Sequence, residues 1–222
     1  QDFSHQVAVI TGAGSGIGQA LAVSLARQGC DLALADLNTD GLEKTRSMLD
    51  GTSVKVSVHR LDVASRQALE QFADEVMEFH GKVSLLFNNA GVNVPGVPFE
   101  ELSLVQWRSV IDTNLTGAFL CAQGAVRLMK TQQPRGGRII NNGSISAHTP
   151  RPNAAPYGAA KHAITGLTKS LSLDGRHFDI ACGQIDIGNA DSPMAGKMKH
   201  GVPQADGTIA IEPTIDVRHI VD

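Results

Sequence analysis

The stretch from Gln6 to Gln28, QVAVITGAGSGIGQALAVSLARQ, decides the fold of this chain. It begins with a short apolar run rich in β-branched residues, passes through a turn that contains four glycines, and ends in a segment with helical spacing. Glycines permit positive φ angles and let a ligand approach the backbone, and the first turn of a helix offers free N–H groups to a phosphate. The order strand, glycine turn, helix therefore predicts a phosphate-binding unit.

An acidic residue follows the second predicted strand. This strand ends in Asp36, eighteen residues beyond Gly18, where a dinucleotide-binding βαβ unit places a carboxylate against the adenosine ribose. Asp36 would repel a 2′-phosphate, and neither Leu37 nor Ser15 supplies a cation to offset that repulsion. We therefore predict NAD as the cofactor in preference to NADP. The alternative interpretation is that Asp36 caps the helix that begins near Asn38.

Strands and helices alternate along the rest of the chain. Apolar runs predict further strands at 54–58, 83–87, 137–142 and 179–185. Ser65 is placed to cap the helix that runs to about Phe79, and its spacing puts Leu69, Phe72, Val76 and Phe79 on one buried stripe. Ser103 with Gln106 forms a capping box for the next helix. The alternation predicts one α/β domain over residues 1–222, a Rossmann-type doubly wound parallel sheet with helices on both faces.

Two segments depart from this regular pattern. Asn114 lies inside a long helical stretch, where asparagine is unfavourable, and its presence indicates a local irregularity or a functional amide. Residues 188–213 are rich in Gly, Pro, Met and Ala without periodicity, and they predict a loop that covers the substrate. A further helix is expected from Thr214.

Polar and glycine residues follow several of the predicted strands. The glycine turn, Asp36, Asp62, Asn89 and Ser144 all lie at the carboxyl ends of strands. In an open parallel sheet this edge is where ligands bind, so we expect these residues to meet in one crevice.

Tyr157 and Lys161 are four residues apart in an alanine-rich helical segment, so their side chains lie one turn apart on one face. An ammonium about 4 Å from a phenol, at an effective dielectric of about 20, contributes on the order of 4 kcal/mol, or roughly three pKa units. We therefore predict that Lys161 lowers the pKa of Tyr157 towards neutrality. Ser144, thirteen residues before Tyr157, ends a strand whose loop can return to the phenol. The alternative is an ordinary amphipathic helix with a buried tyrosine and a snorkelling lysine.

These motifs, taken together, resemble those of the classical short-chain dehydrogenases/reductases over almost the whole chain. The shared signatures are Thr11-Gly12-x-x-x-Gly16-Ile17-Gly18, Asp62-Val63, Asn88-Asn89-Ala90-Gly91, Asn114, Ser144 and Tyr157-x-x-x-Lys161. The resemblance implies a seven-stranded parallel sheet, a bound nicotinamide cofactor and the reversible oxidation of a small alcohol to a carbonyl compound. It also implies a homo-oligomer, a dimer or more commonly a tetramer.

The resemblance also implies roles for individual residues. Tyr157 would be the acid/base, Lys161 would lower its pKa and hold the nicotinamide ribose, Ser144 would bind the reacting oxygen, and Asn114 would fix a water in a proton relay. Asp62 and Val63 would flank the adenine. The expected cofactor-binding residues are Gly12, Ser15, Gly16, Ile17, Gly18, Asp36, Leu37, Asp62, Val63, Asn89, Ala90, Gly91, Tyr157, Lys161, Ile187, Gly188 and Asn189.

Two features depart from the family pattern. After the sixth strand the family usually carries Asn-Pro-Gly, whereas this chain has Asp186-Ile187-Gly188, followed by a hydroxyl at Ser192. Family members also continue with a helix and a seventh strand beyond the position of Asp222. We therefore expect a truncated C-terminal region or a sheet that is one strand short. The departures leave a second hypothesis open, a catalytically impaired nucleotide-binding or scaffolding protein of the same fold.

Composition excludes other functional classes. A net charge of −3 without a basic run argues against nucleic-acid binding. The three cysteines are far apart and the histidines lack ligand spacing, which favours a reducing compartment and argues against a metal centre. No apolar run approaches the ~18 residues that a membrane span needs. We therefore expect a cytoplasmic protein.

Overall fold

The computed structural model describes residues 2–221, except for the side chains of residues 197 and 199. Its strands are β1 (Val7–Thr11), β2 (Asp31–Asp36), β3 (Val56–Arg60), β4 (Leu85–Asn88), β5 (Gly137–Asn142), β6 (Ile180–Ile185), β7 (Val202–Pro203) and β8 (Ile209–Ala210). Its α-helices are α1 (Gly16–Arg27), α2 (Thr39–Ser47), α3 (Arg66–His80), α4 (Leu104–Ile111), α5 (Ala118–Thr131), α6 (Ala155–Asp174) and α7 (Arg218–Val221).

The first six strands form one parallel sheet in the order β3-β2-β1-β4-β5-β6. The strand order reverses between β1 and β4, so a crevice opens at their carboxyl ends. This confirms the predicted Rossmann-type doubly wound domain. Within residues 2–221 the sheet has six strands, one fewer than the family resemblance implies.

Each face of the sheet is covered by its own layer of helices. Because successive strand side chains point to opposite faces, Val9 packs under α3 and α5 while its neighbour Ile10 packs under α1 and α2. Central strands buried on both faces explain the nearly continuous apolar runs of the sequence. The stripe of α3 ends earlier than its spacing predicts, since Phe72 and Val76 are buried but Phe79, in the last turn, is half exposed.

The predicted helix caps are present. Ser65 accepts a hydrogen bond from the amide of Ala68, and Ser103 with Gln106 forms the reciprocal capping box. Asn38 caps α2 by accepting from Gly41. The cap of this helix is therefore Asn38 and not Asp36, which contradicts the alternative interpretation of Asp36.

A π-helical segment joins α4 to α5. It spans Asp112–Gly117 and contains Asn114, which confirms the predicted irregularity. A Cβ at Gly117 would lie 2.7 Å from the Val63 side chain, so this segment packs closely against the loop after β3. Wide turns of this kind often occur at functional sites.

The segment after β6 has more local structure than the sequence predicts. It contains a 3₁₀ segment at Pro193–His200, the antiparallel pair of β7 and β8, and a short α7 that begins at Arg218 instead of Thr214. Each paired strand has only two residues, too few for a period to be recognised in the sequence.

Close packing between the glycine turn and α1 makes Gly18 a test of the fold. A Cβ at Gly18 would overlap the carbonyl oxygen of Gly12, whereas a Cβ at Gly124 in α5 meets nothing within 4 Å. We expect Gly18→Ala to lower the free energy of unfolding by about 1–3 kcal/mol through overpacking. The control Gly124→Ala should raise it by up to about 1 kcal/mol, since alanine favours the helix. Urea unfolding of both variants measures the difference, and equal midpoints would contradict the packing described.

Candidate active site

The glycine turn is fixed against the end of β4. Gly12 has a φ of +67°, and a Cβ there would lie 2.9 Å from the Cα of Ala90. The Asn89 side chain donates to the carbonyls of Thr11 and Gly12, at 3.0 and 3.2 Å. Two strand ends that are far apart in sequence thus form one wall of the crevice, as the motifs predict.

The amino end of α1 faces this crevice. The helix begins at Gly16, whose φ is +54°, and its N-cap Ser15 is exposed and makes no side-chain capping bond. The free N–H groups of the first turn are therefore available to an anion. Ile17 is half-buried. Ser192, from the segment after β6, lies against the turn, with its Cβ 3.1 Å from the Cβ position of Gly16.

Asp36 lies at the end of β2 beside the glycine turn. One carboxylate oxygen accepts from the amide of Gly14 and the other from the amide of Asn38, both at 2.9 Å. These bonds hold the carboxylate against the turn. Leu37 next to it is exposed over about half of its surface.

The loop after β3 carries the two residues expected to flank the adenine, and it exposes one side chain and buries the other. The Asp62 carboxylate is exposed and accepts from the amide of Ala64 at 2.9 Å. The Val63 side chain is buried in the core. A contact of Val63 with an adenine would therefore use its backbone.

Asn114 holds the loop that follows β4. Its amide oxygen accepts from the amide of Val92 at 2.7 Å, and its amide nitrogen donates to the carbonyl of Val92 at 2.9 Å. The Asn114 side chain is buried, and a Cβ at Gly91 would lie 3.5 Å from its oxygen. The Asn114 amide thus fixes the backbone of the loop after β4.

Lys161 is a buried cation. Its ammonium donates to the carbonyl of Asn142 at 2.6 Å, and the Asn142 side chain donates to Asn89 at 2.8 Å. Within residues 2–221 this is the single hydrogen bond recorded for the ammonium, which leaves two N–H groups for a ligand. Burial lowers the pKa of Lys161 to about 8, although the charge of Asp186 opposes that decrease.

Tyr157 differs from its predicted electrostatics. Burial raises its pKa, and the hydrogen bond with Ser144 and the charge of Arg151 oppose this only in part. The expected decrease towards neutrality is wrong for the protein without ligand. The Lys161 ammonium lies 5.5 Å from the centre of the phenol ring and bonds to the backbone, so desolvation of the phenol dominates.

Ser144 adjoins Tyr157, as the sequence predicts. Its hydroxyl forms the hydrogen bond that opposes the increase in the pKa of Tyr157, and also accepts from the amide of Ser146 at 3.1 Å. The Ser144 amide donates to a carboxylate oxygen of Asp186 at 3.1 Å.

The segment after β6 contacts the loop that carries Ser144. The carbonyl of Ile187 accepts from Ile145 at 3.2 Å, and Gly188 is exposed. The Asn189 side chain accepts from Arg151 at 3.0 Å and donates to Glu212 at 2.6 Å. Its side chain therefore belongs to a clasp that joins Arg151 to Glu212.

Sequence reasoning did not assign functional roles to four residues that contact the predicted site residues. They are Asn142, Arg151, Asp186 and Ser192. Two of them have a signal in the sequence. Asp186 replaces the asparagine usual in the family, and Ser192 keeps a hydroxyl of the family pattern. Nothing in the sequence marks Asn142 or Arg151, because their contacts come from distant parts of the chain.

The match to known proteins agrees with this arrangement. A family model described as short chain dehydrogenase covers residues 6–202. The chain belongs to the short-chain dehydrogenase family. It is an oxidoreductase of this family.

Three relatives of this short-chain dehydrogenase illustrate the similarity. The 3beta-hydroxysteroid dehydrogenase of Mediterraneibacter gnavus is 33% identical over 192 residues, which cover 86% of this chain and 68% of that protein. The cyclohexanol dehydrogenase of Acinetobacter sp. (strain SE19) is 32% identical over 197 residues, covering 89% and 78%. The crystal structure of NAD+-bound xylitol dehydrogenase has a TM-score of 0.89 at 29% identity, covering 100% of this chain and 91% of that one.

Two further features of the described residues bear on the site. No helix of this dehydrogenase between residues 2 and 221 is long and apolar enough to cross a membrane. Among the same residues, no group of three or more His, Cys, Asp or Glu side chains is placed to hold a metal ion.

The buried ammonium of Lys161 predicts a pH dependence of stability. Because its pKa falls from 10.5 to about 8 on folding, the unfolded chain binds this proton more tightly. The free energy of unfolding should therefore rise between pH 8 and about 10.5, on the order of 2 to 3 kcal/mol from this group. Lys161→Met should abolish that rise, and Lys169→Met, at an exposed position of α6, should retain it.

Urea unfolding of the three proteins across this pH range measures the effect. The same pH slope for wild type and Lys161→Met would contradict the described burial of the ammonium.

Proposed function

We propose that this protein is an NAD-dependent oxidoreductase that interconverts a secondary alcohol and a ketone or aldehyde, with Tyr157 as the acid/base. One observation carries the proposal. The hydroxyl of Ser144, the phenol of Tyr157 and the ammonium of Lys161 meet at the carboxyl edge of the sheet, beside the glycine turn.

The crevice fits a dinucleotide. Gly12 and Gly18 let the turn pack closely against the residues that follow β4, and the first N–H groups of α1 are free for an anion. We propose that the turn from Gly12 to Gly18, with Ser192, holds the pyrophosphate, and that Asp36 holds the adenosine ribose. When bound, the nicotinamide cofactor accepts or supplies the hydride.

Other residues would hold the remaining parts of the cofactor. We propose that Asp62 and the backbone of Val63 flank the adenine, and that the backbone from Asn89 to Gly91 lines the cleft. The free N–H groups of the Lys161 ammonium are available to the nicotinamide ribose. The backbone from Ile187 to Asn189 would contact the carboxamide, since the Asn189 side chain is engaged in the clasp.

Tyr157 would transfer the proton. In alcohol oxidation its phenolate oxygen takes the proton of the substrate hydroxyl, while the Ser144 hydroxyl donates a hydrogen bond to the reacting oxygen. Burial raises the pKa of Tyr157, so the phenolate needs further stabilisation. Lys161 and Arg151 supply positive charge, and an oxidised cofactor adds to it. The role of Asn114 in a proton relay stays a prediction, because both ends of its side-chain amide are hydrogen-bonded to the backbone of Val92.

The substrate would bind in the cavity at the start of α6. This cavity of about 180 Å³ is mainly apolar, and it is lined by Val97, Phe99, Leu102, Pro150, Arg151, Asn153, Ala154, Ala155 and Pro156, the last of which precedes Tyr157 in the chain. Apolar walls with few polar groups suit a compact hydrophobic substrate. The names of the cyclohexanol and 3beta-hydroxysteroid dehydrogenases support a cyclic secondary alcohol. We propose that residues 188–213 cover this substrate.

A scaffolding or nucleotide-sensing role is the second candidate. It is favoured by one specific observation, the replacement of the family's Asn-Pro by Asp186-Ile187 beside Ser144. NAD binding without turnover across a broad panel of cyclic and acyclic alcohols would support this candidate over the enzyme.

Removal of the phenolic oxygen tests the proposed acid/base. We expect Tyr157→Phe to reduce kcat for cyclohexanol oxidation with NAD by at least about 10³-fold, because the proton acceptor is lost. The dissociation constant of NADH, measured by fluorescence titration, should change by less than about threefold. A variant with near wild-type kcat would refute the assignment of Tyr157.

The charge of Asp36 tests the choice of cofactor. We expect wild type to prefer NAD, and Asp36→Ala to raise the ratio of kcat/KM for NADP to that for NAD by at least about tenfold, since repulsion of the 2′-phosphate is relieved. Asp40→Ala, which removes an exposed carboxylate in the first turn of α2, is the matched control and should leave the ratio unchanged. A wild-type preference for NADP would contradict the proposed role of Asp36.

A further inference from the structure

Asp186 stands at the end of β6, directly against the backbone that carries Ser144. Its carboxylate oxygen Oδ1 accepts from the amide of Ser144 at 3.1 Å and from the Gln184 side chain at 2.6 Å. A Cβ at Gly143 would overlap this oxygen, so the glycine permits the close approach. The other oxygen, Oδ2, contacts the ring of His148 at 3.0 Å.

This carboxylate completes a row of acceptors along the end of β6. The amide of Gly143 donates to the carbonyl of Ile185 at 2.8 Å, and the amide of Ile145 donates to the carbonyl of Ile187 at 3.2 Å. The amide of Ser144, between them, donates to the side chain of Asp186. Three consecutive amides of the loop that carries Ser144, residues 143–148 and called the serine loop, are therefore held by β6 and its extension, and Asp186 supplies the central acceptor.

The position of Asp186 is itself fixed from α6. The Gln184 side chain donates to the hydroxyl of Thr165 at 3.0 Å as well as to Asp186. The hydroxyl of Thr168 donates to Gln184 at 3.2 Å. Both threonines lie on the helix that carries Lys161, one and two turns further along. The carboxylate thus links the serine loop to the lysine helix.

Asp186 also contributes charge. Although burial pushes its pKa upward, hydrogen bonds from His148, Gln184 and the Ser144 amide hold it below the usual value, so the group is an anion at neutral pH. Its charge acts on Lys161 against the effect of burial. Among the described residues, His148 from the serine loop contacts Asp186, Tyr157 from α6 faces Lys161, and the charge of Arg151 acts on Tyr157. Asparagine, usual in the family at this position, would preserve the acceptor but lack the charge.

We propose that Asp186 is a positioning residue for the reaction, which holds the serine loop through its carboxylate, joins that loop to the helix that carries Lys161, and supplies a negative charge to the site. The proposal rests on the proposed function, because it assigns Asp186 a role through Ser144 and Lys161. It adds a residue that the family pattern does not contain.

Three variants separate charge from hydrogen bonding. Asp186→Asn keeps an acceptor for the Ser144 amide and removes the charge, whereas Asp186→Ala removes both. His148→Gln is the matched control, because it keeps a donor for Asp186 and removes the titratable ring. NMR titration of ¹⁵N-labelled lysine, with the Lys161 signal assigned through Lys161→Met, follows the ammonium in the ligand-free protein and needs no turnover.

We expect the titration midpoint of Lys161 to fall by about one pH unit in Asp186→Asn and Asp186→Ala, and to stay within about 0.3 unit of wild type in His148→Gln. The alkaline limb of the kcat profile for alcohol oxidation should move to lower pH in Asp186→Asn, since the ammonium is lost earlier. Asp186→Ala should in addition lose roughly 10- to 100-fold in kcat at every pH, because the serine loop is released.

An unchanged Lys161 midpoint in Asp186→Asn would overturn the charge role, and wild-type kcat in Asp186→Ala would overturn the positioning role. If the wild-type protein oxidises no alcohol, the proposed function fails, but the NMR titration still decides whether Asp186 sets the charge of Lys161.

Discussion

A buried ammonium is the constraint on which the site depends. Placing the charge of Lys161 inside the protein is costly unless oxygen atoms and opposite charge compensate it. The carbonyl of Asn142 and the carboxylate of Asp186 do so, and they belong to the ends of β5 and β6. Asn142 is bonded in turn to Asn89, which holds the glycine turn. The cation is therefore connected to the glycine turn through the Asn142 carbonyl and the side chains of Asn142 and Asn89.

Much of this was predictable from local patterns. The glycine turn, the strand-terminal polar residues and the caps at Ser65 and Ser103 depend on neighbours close in sequence, so their spacing is informative. Asparagine is unfavourable within a helix, so Asn114 indicates a local irregularity, and the structure has a π-helical segment at that position. The topology of the sheet then follows from the short connections and handedness of parallel strands.

The remainder depends on contacts between distant segments. The spacing of Tyr157 and Lys161 predicts that they lie on one face of a helix. The pKa of Tyr157 depends on the balance between desolvation and nearby charge, which is known only from the surrounding structure. The clasp of Arg151 with Glu212 joins residues 61 positions apart and has no sequence signature. Phe79 was placed on the buried stripe because its spacing fits, yet the last turn of α3 lies beyond the core.

We propose that Tyr157 and Ser144 both hydrogen-bond one reacting oxygen beside a bound nicotinamide. A crystal structure of the protein with NADH and a cyclic ketone tests this most directly. We expect the carbonyl oxygen to lie about 2.6–3.2 Å from both the Tyr157 oxygen and the Ser144 hydroxyl. The pyrophosphate should lie at the first turn of α1. A dinucleotide bound elsewhere, or a ketone oxygen that contacts neither side chain, would contradict it.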